Sequence, residues 1–415
     1  MNNLVIKNIG PIKDIEISLR KVNVLMGPQS SGKSTIAKII SYCQWVEKRF
    51  ILDGNYDYEF EEQFIDFHKV SKNYFQKDSV FIYETDFVKI TFNSVKKKEK
   101  IERKSTHLDY KKSKNIYIPA ERNFVSVIPN LGRFKETNDN IMSFLYDWYD
   151  VKKKYSKKNP LQILDFNIKY HHIEDKDIDI LSLTDIKKDI PLQTASSGLQ
   201  SVVPLIILID YLTGGFYDQK FTNSVSEKDE IQKIIKDNFF EIFDNVGKVK
   251  QLQNLLDKDD PTDEFTSAEL KKLVRLVISR NRYHRSKIII EEPEQNLFPA
   301  TQRNLMYYLL QNLNESDRDH QLLITTHSPY ILYALNNCML GYHIKDSIPK
   351  DEAQSLLSFN SWIDQKNVAV WEIEKSGTIK SIKSENTGTV SEHYFNKIMN
   401  DVMDEYYEML SYLEV

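Results

Sequence analysis

Eight residues near the start of the chain constrain its fold more than any other feature. Gly27 to Ser34 reads GPQSSGKS, which matches G-x-x-x-x-G-K-[ST] without a gap. The apolar run Val22 to Met26 precedes it, and apolar residues recur at helical spacing from Thr35 to Val46. We therefore predict a strand, a phosphate-binding loop and a helix, because glycines let backbone N–H groups point at phosphate oxygens beside a helix start. A serine-rich turn without a ligand is the alternative.

This loop predicts a nucleotide site in which two side chains have separate tasks. Lys33 is expected to act in catalysis by reaching the β- and γ-phosphates, and Ser34 is expected to bind Mg²⁺. The residues expected to contact the nucleotide are Gly27, Pro28, Gln29, Ser30, Ser31, Gly32, Lys33, Ser34 and Thr35.

A second feature is an apolar run that ends in two carboxylates. Ile288 to Ile290 is followed by Glu291, Glu292 and Pro293, and α/β folds bind ligands where parallel strands end. Adjacent strand residues point to opposite faces, so both glutamates can serve one site only if the chain turns there, which Pro293 favours. We expect Glu291 to hold Mg²⁺, directly or through water, and Glu292 to be the general base. An ordinary acidic end of a strand is the alternative.

A histidine follows the next apolar strand in the same way. Leu322 to Thr325 reads LLIT and His327 comes two residues later. At a neighbouring strand end, its ring could donate a hydrogen bond to a γ-phosphate and so distinguish ATP from ADP. Most single histidines are core or surface groups; the position after a strand, like that of Glu292, favours the catalytic interpretation here.

Composition excludes several classes of protein. The 415 residues include 56 Lys plus Arg and 60 Asp plus Glu, giving a formal net charge of -4, so the chain as a whole is not a polycationic nucleic-acid coat. The two cysteines, Cys43 and Cys338, suit a reducing compartment. No secretory signal or membrane-spanning run is expected, and the predicted location is the cytoplasm.

Strands that alternate with helices predict an α/β fold with a mixed sheet and an antiparallel N-terminal β lobe. The expected division is an N-terminal lobe over 1–120 and a helical insertion over 121–190. A second lobe over 191–345 carries a helical insert at about 213–285, and 346–415 forms a C-terminal strand pair and helix. The basic stretch from Lys96 to Lys104 is expected to be a solvated loop.

Four segments, GPQSSGKST, SSGLQS, IIIEEPEQNLFP and ITTHSP, occur in this order and together resemble the ABC-type P-loop ATPase head of the SMC, RecF and OLD-like group. The resemblance spans Met1 to about Tyr342. With YIPAERN at Tyr117 to Asn123, the chain is most similar to small ATPases of bacterial anti-phage systems of the Septu and PARIS type. No nuclease constellation follows His327, so an effector, a nuclease or a toxin, would be a separate protein.

The resemblance implies a homodimer that holds two ATP molecules, each between one subunit's phosphate loop and the other's signature segment. Ser197, Gly198 and Gln200 would contact the nucleotide from that segment, Ser196 to Gln200. A helix N-cap by Ser196 or Ser197 is the alternative and is compatible with this role. The segment reads SSGLQ rather than the group's usual LSGGQ, and Glu291 stands where Asp is usual.

Two further points stay open. Members of the group normally carry a loop glutamine after the first helical segment, and this glutamine is not identifiable here. Gln63, Gln76 and the Glu121–Arg122 turn are candidates. The alternative function is a RecF-like DNA-repair ATPase, with phosphate contacts from Lys96 to Lys114 and from Arg280 to Lys287. A scaffold with an inactive site is disfavoured because every expected catalytic position is filled.

Overall fold

The computed structural model describes residues 2–54, 56–96, 98–104, 110–128, 139–217, 282–384 and 386–413. The strands in these ranges are β1 (Asn2–Ile9), β2 (Ile12–Leu19), β3 (Val22–Met26), β4 (Phe75–Glu84), β5 (Val88–Asn93), β6 (Lys98–Arg103), β7 (Ser113–Ile118), β8 (Leu161–Gln162), β9 (Ile168–Ile173), β10 (Ile178–Leu183), β11 (Lys188–Pro191), β12 (Arg285–Glu291), β13 (Gln321–Thr326), β14 (Val368–Ile373) and β15 (Ile379–Ser381).

The α-helices in the same ranges are α1 (Lys33–Asp53), α2 (Phe124–Val127), α3 (Asn140–Lys152), α4 (Ser197–Asp210), α5 (Pro299–Glu315), α6 (Pro329–Ile344), α7 (Lys350–Ser355) and α8 (Tyr394–Leu410). π-Helical turns cover Glu61–Asp66 and Tyr211–Gly215.

The central sheet has the strand order β15-β14-β3-β13-β12-β7, and all its pairings are parallel except that of β14 with β15. A separate antiparallel sheet, β2-β1-β4-β5-β6, forms the N-terminal lobe. This confirms the predicted fold class as an α/β protein with a mixed sheet and an antiparallel β lobe. The C-terminal strand pair belongs to the central sheet, since β14 pairs directly with β3.

Two apolar cores cover opposite faces of the central sheet. Successive residues of one strand alternate between them: Val24 packs into the core that contains α4 and α5, whereas Leu25 packs into the core that contains α1 and the antiparallel lobe. Ile288 and Ile289 divide in the same way. Since strand side chains alternate in direction, this sheet is buried on both sides, and its ligand-binding edge is the one where the parallel strands end.

The expectation of a helical insertion over 121–190 holds only in part. Helix α3 confirms the helical pattern, but β8 to β11 form a four-stranded antiparallel sheet. Tyr170 of β9 faces Leu181 of β10 in register, and both are fully buried. Asp177 and Lys187 adopt left-handed φ values of 49° and 50° and close the hairpins. Cross-strand pairing therefore prevails over a helical interpretation here.

The basic stretch from Lys96 to Lys104 is a second correction. The sequence predicts a solvated loop, but β6 occupies Lys98–Arg103 and pairs with β5 at the edge of the antiparallel lobe. Charged residues are common on edge strands because they oppose pairing with another chain. The helical insert predicted at about 213–285 lies largely outside the described residues.

Among the described residues, one helical stretch, Ser197–Gly215, is long and apolar enough to cross a membrane. Its residues from Val202 to Ile209 are buried inside the protein, in the core on one face of the central sheet. We therefore interpret this stretch as a core helix.

Candidate functional site

The ends of three neighbouring strands define the site. In β13, Thr325 pairs with Leu25 of β3 on one side and with Glu291 of β12 on the other. The three strands are parallel, so the residues that follow them emerge at the same edge of the sheet. Three segments that are far apart in sequence therefore lie next to one another at this edge: the phosphate loop, the glutamate pair and the histidine.

The phosphate loop depends on two glycines. Gly27 and Gly32 have φ values of 150° and 102°, a region that side-chain-bearing residues rarely adopt. A Cβ on Gly27 would lie 2.5 Å from the carbonyl oxygen of Ile373, and one on Gly32 would lie 2.8 Å from Cγ1 of Ile12. The loop thus passes too close to its neighbours for a larger residue, and it leads directly into α1 at Lys33, as predicted.

Lys33 is held inside the loop. Its Nζ donates hydrogen bonds to the carbonyl oxygens of Gly27 at 2.9 Å and Pro28 at 2.7 Å. Burial lowers the pKa of Lys33 to about 8, although the negative charges of Glu292, Glu294 and Glu291 act in the opposite direction. The ammonium group therefore lies within electrostatic reach of all three carboxylates, which places the loop and the acidic strand end in one site.

Glu291 and Ser34 provide oxygen atoms suited to a hard cation. Glu291 is buried, and its Oε1 has no hydrogen-bond partner, a costly arrangement unless something else binds it. Ser34 is exposed in the first turn of α1. Mg²⁺ prefers such oxygens and takes its other ligands from water and nucleotide phosphates, so these residues fit the predicted ion. The described residues contain no cluster of three or more His, Cys, Asp and Glu side chains that could bind a metal.

Glu292 turns towards the histidine strand. Its φ of 42° is left-handed, and its backbone N–H donates to the carbonyl oxygen of Thr325 at 2.9 Å. His327 Nε2 lies 3.4 Å from Glu292 Oε1. Hydrogen bonding by His327 lowers the pKa of the Glu292 carboxyl below its ordinary value. The turn that two adjacent glutamates need in order to serve one site is therefore present.

Two further residues support this edge, and the sequence did not predict their roles. Glu294 accepts a hydrogen bond from the backbone N–H of His327 at 2.5 Å, and burial raises the pKa of its carboxyl. Arg122 is fully buried and donates to the carbonyl oxygens of Glu291 at 2.9 Å and Glu292 at 2.9 Å. It also donates to the carbonyl of Ser201 at 3.1 Å, so it ties α4 to the acidic strand end.

The three candidates for the signature segment, Ser197, Gly198 and Gln200, lie in the first turn of α4. Ser197 and Gly198 begin α4, where Ser197 is exposed and a Cβ on Gly198 would lie 3.0 Å from the carbonyl oxygen of Asn296. Gln200 donates to the carbonyl oxygen of Gln193 at 2.9 Å. Within the described residues, none of the three hydrogen bonds with the phosphate loop.

The candidates for the loop glutamine lie at three different places in the structure. Gln76 lies in β4 of the antiparallel lobe, and Gln63 lies in the π-helical turn near α1. Arg122 follows β7 at the same sheet edge as Glu291, but its guanidinium group is occupied by main-chain carbonyls.

Comparison with known proteins gives a partial match. Residues 264–332, which include the acidic strand end and His327, match the model of the family described as "AAA domain, putative AbiEii toxin, Type IV TA system". No curated protein matches the sequence.

Several solved structures are similar. For the SMC head domain from Thermotoga maritima, identity is 12% and the TM-score is 0.36, with 80% of this chain and 90% of that chain covered. An SMC head bound to the C-winged helix domain of ScpA has 10% identity and a TM-score of 0.38, and the match covers 92% of this chain and 98% of that chain. The recombination mediator RecF has 12% identity and a TM-score of 0.31, and the match covers 92% of this chain and 97% of that chain.

Proposed function

We propose that this protein is a Mg²⁺-dependent ATPase that dimerises on ATP and regulates a separate effector, a nuclease or a toxin, in anti-phage defence. The observation that best supports the ATPase activity is the position of Lys33, Glu291, Glu292 and His327 at aligned strand ends. A charged loop lysine, a buried carboxylate with one oxygen atom free of hydrogen bonds and a carboxylate paired with histidine are groups that suit phosphoryl transfer to water.

Each residue has a distinct task in this proposal. Lys33 would exchange its carbonyl partners for the β- and γ-phosphates and neutralise their charge. Glu292 would accept a hydrogen bond from the attacking water and take its proton, because its lowered pKa keeps it ionised near neutral pH. His327 would donate to a γ-phosphate oxygen. Glu291 and Ser34 would hold Mg²⁺, which supplies positive charge between the phosphates when bound.

The direct test is ATP hydrolysis by the full chain. We expect release of ADP and phosphate that requires Mg²⁺ and that stops in Glu292→Gln, with ATP binding retained. ATP bound but never hydrolysed by the parental protein would contradict the enzymatic proposal. Failure to bind ATP at all would contradict the site itself.

Dimerisation is proposed because Ser197 is exposed at the start of α4 and makes no hydrogen bond with its own phosphate loop among the described residues. A helix start with a free hydroxyl suits the phosphates of a nucleotide bound by a second copy. Light scattering on Glu292→Gln should show a monomer without nucleotide and a dimer with ATP. A Ser197→Arg substitution should prevent the dimer while one subunit still binds ATP.

The proposed role in defence rests on the resemblance and on the family description, which names a toxin system, and the proposed cytoplasmic location rests on the cysteine usage. A plaque assay tests the role: cells that carry the gene with its neighbouring genes should resist phage, and Lys33→Ala should remove the resistance. Equal plaque numbers with and without the parental genes, across a broad set of phages, would contradict it.

The alternative is a RecF-like ATPase that binds DNA through its basic stretches. Two of its candidate cations in the described residues are already paired: Lys287 with Glu47 at 3.0 Å, and Lys114 with Asp147 at 2.6 Å. These two pairings count against the alternative. Filter binding at two salt concentrations tests it, because phosphate contacts weaken steeply with salt; strong binding at low salt that is lost at high salt would restore the DNA-repair proposal.

A further inference from the structure

A cavity of about 240 Å³ is lined by none of the residues assigned to the nucleotide site. Its walls come from α1, from β7, from the start of α3 and from the π-helical turn Glu61–Asp66 with the residues that follow it. The lining includes Tyr42, Trp45, His68, Asn115, Tyr117 and Asn140.

Three polar atoms at this cavity lack hydrogen-bond partners. They are His68 Nδ1, Asn115 Nδ2 and Asn140 Oδ1, and each is buried away from solvent. His68 and Asn140 are 2% and 6% exposed as whole residues. A buried polar atom without a partner costs about 1–3 kcal/mol, so three at one cavity indicate that the cavity has an occupant that supplies donors and acceptors.

The cavity is uncharged. None of the residues that line it is Lys, Arg, Asp or Glu. Burial, with a smaller contribution from the charge of Lys38, lowers the pKa of His68 to about 3, so its imidazole is neutral throughout the physiological range. A charged ligand would lose its hydration here without gaining an opposite charge. The occupant is therefore a neutral molecule.

Aromatic rings form much of the wall. The rings of His68 and Tyr117 lie 5.5 Å apart between centroids, and Tyr42 and Trp45 lie 6.4 Å apart. Flat apolar faces together with an amide N–H and an amide C=O suit a planar ring that carries donors and acceptors on its edge. The volume is below the roughly 300–1,000 Å³ of pockets for drug-sized ligands, which limits the molecule to one small ring system.

From these features we propose that the cavity binds one small, uncharged, planar heterocycle with both hydrogen-bond donors and acceptors, the class of free nucleobases. Asn115 would donate to a ring acceptor and Asn140 would accept from a ring or exocyclic N–H. Tyr117 lines the cavity and pairs in register with Ile289 of β12, two residues before Glu291, so the cavity lies near the acidic strand end.

Thermal melting and calorimetry on the full chain test this proposal with adenine, hypoxanthine, cytosine, uracil and their nucleosides. At least one of the bases should bind at one molecule per chain. Asn115→Leu, which keeps the branched shape of the side chain and removes the amide, should weaken that binding by about tenfold or more. Ser41→Phe, which fills the cavity from α1, should abolish it; Ser41 lines the cavity. Bases and nucleosides together distinguish recognition of the ring from recognition of the ribose.

Controls separate the cavity from the nucleotide site. Asn400→Leu makes the same chemical change on an exposed face of α8 and should leave binding unchanged. Lys33→Ala should abolish ATP binding and leave heterocycle binding intact. Ser41→Phe should abolish heterocycle binding and leave ATP binding intact. The proposal is overturned if no compound raises the melting temperature at about 5 mM, which would leave ordered water as the occupant. It is equally overturned if binding survives both Asn115→Leu and Ser41→Phe.

Discussion

The carboxyl edge of the central sheet and the cavity beside α1 lie next to each other but are built on opposite principles. At the edge, charged groups converge, and main-chain register holds them together. In the cavity, neutral amides and rings from distant segments meet, and none of the lining residues is Lys, Arg, Asp or Glu. The edge suits a highly charged triphosphate and the cavity a neutral ring, so one small region can recognise two ligands without competition between them.

The largest expected effect concerns Glu292 at the charged edge. Glu292→Gln removes the base but keeps the shape, so kcat for ATP hydrolysis should fall by about 100-fold to 10,000-fold while ATP affinity changes little. Steady-state phosphate release and nucleotide titration measure the two quantities. Glu352→Gln, an exposed position in α7, should hydrolyse ATP at the parental rate. Parental hydrolysis by Glu292→Gln would show that another group activates the water.

Lys33→Ala should weaken ATP binding by at least about 100-fold, because a charge-assisted contact with the phosphates is lost. Lys38→Ala provides a matched control five residues along α1 and should bind ATP normally. Competitive titration with a fluorescent ATP analogue measures both. If the two variants bound ATP equally, the phosphate loop would not be the main source of affinity and the contrast between the two regions would fail.

Arg122 connects the charged edge to α4, and its loss should lower stability. Arg122→Met leaves several buried carbonyl oxygens, including those of Glu291 and Ser201, without their donor, so the free energy of unfolding should fall by about 2–4 kcal/mol. Chemical denaturation measures this change. Arg20→Met, at an exposed residue, should leave the denaturation midpoint unchanged. An unshifted midpoint in Arg122→Met would mean that water or another donor replaces the guanidinium.

The same contrast separates what could be predicted from the sequence from what could not. The loop from Gly27, the end of β12 and the position of His327 were predictable in place because each is a contiguous motif at the end of an apolar run. Arg122 was not predictable in its role, since its partners are main-chain oxygens that carry no residue identity. The cavity was hidden for a related reason: its polar atoms come from distant segments whose meeting depends on the complete fold.

The smallest expected effect is a difference in pH dependence between the two regions. The ammonium form of Lys33 binds phosphates, and its pKa is about 8 without nucleotide. ATP affinity should therefore be highest below pH 8 and fall by about tenfold between pH 7 and pH 9, with proton uptake on binding in that range. Heterocycle binding to the cavity should stay constant between pH 5.5 and pH 8, because His68, with its pKa of about 3, remains neutral. Calorimetry in buffers of different ionisation enthalpy measures both affinities.

An ATP affinity that stays constant up to pH 9 would show that Lys33 does not control phosphate binding. A heterocycle affinity that changes near pH 6.5 would show that His68 titrates normally.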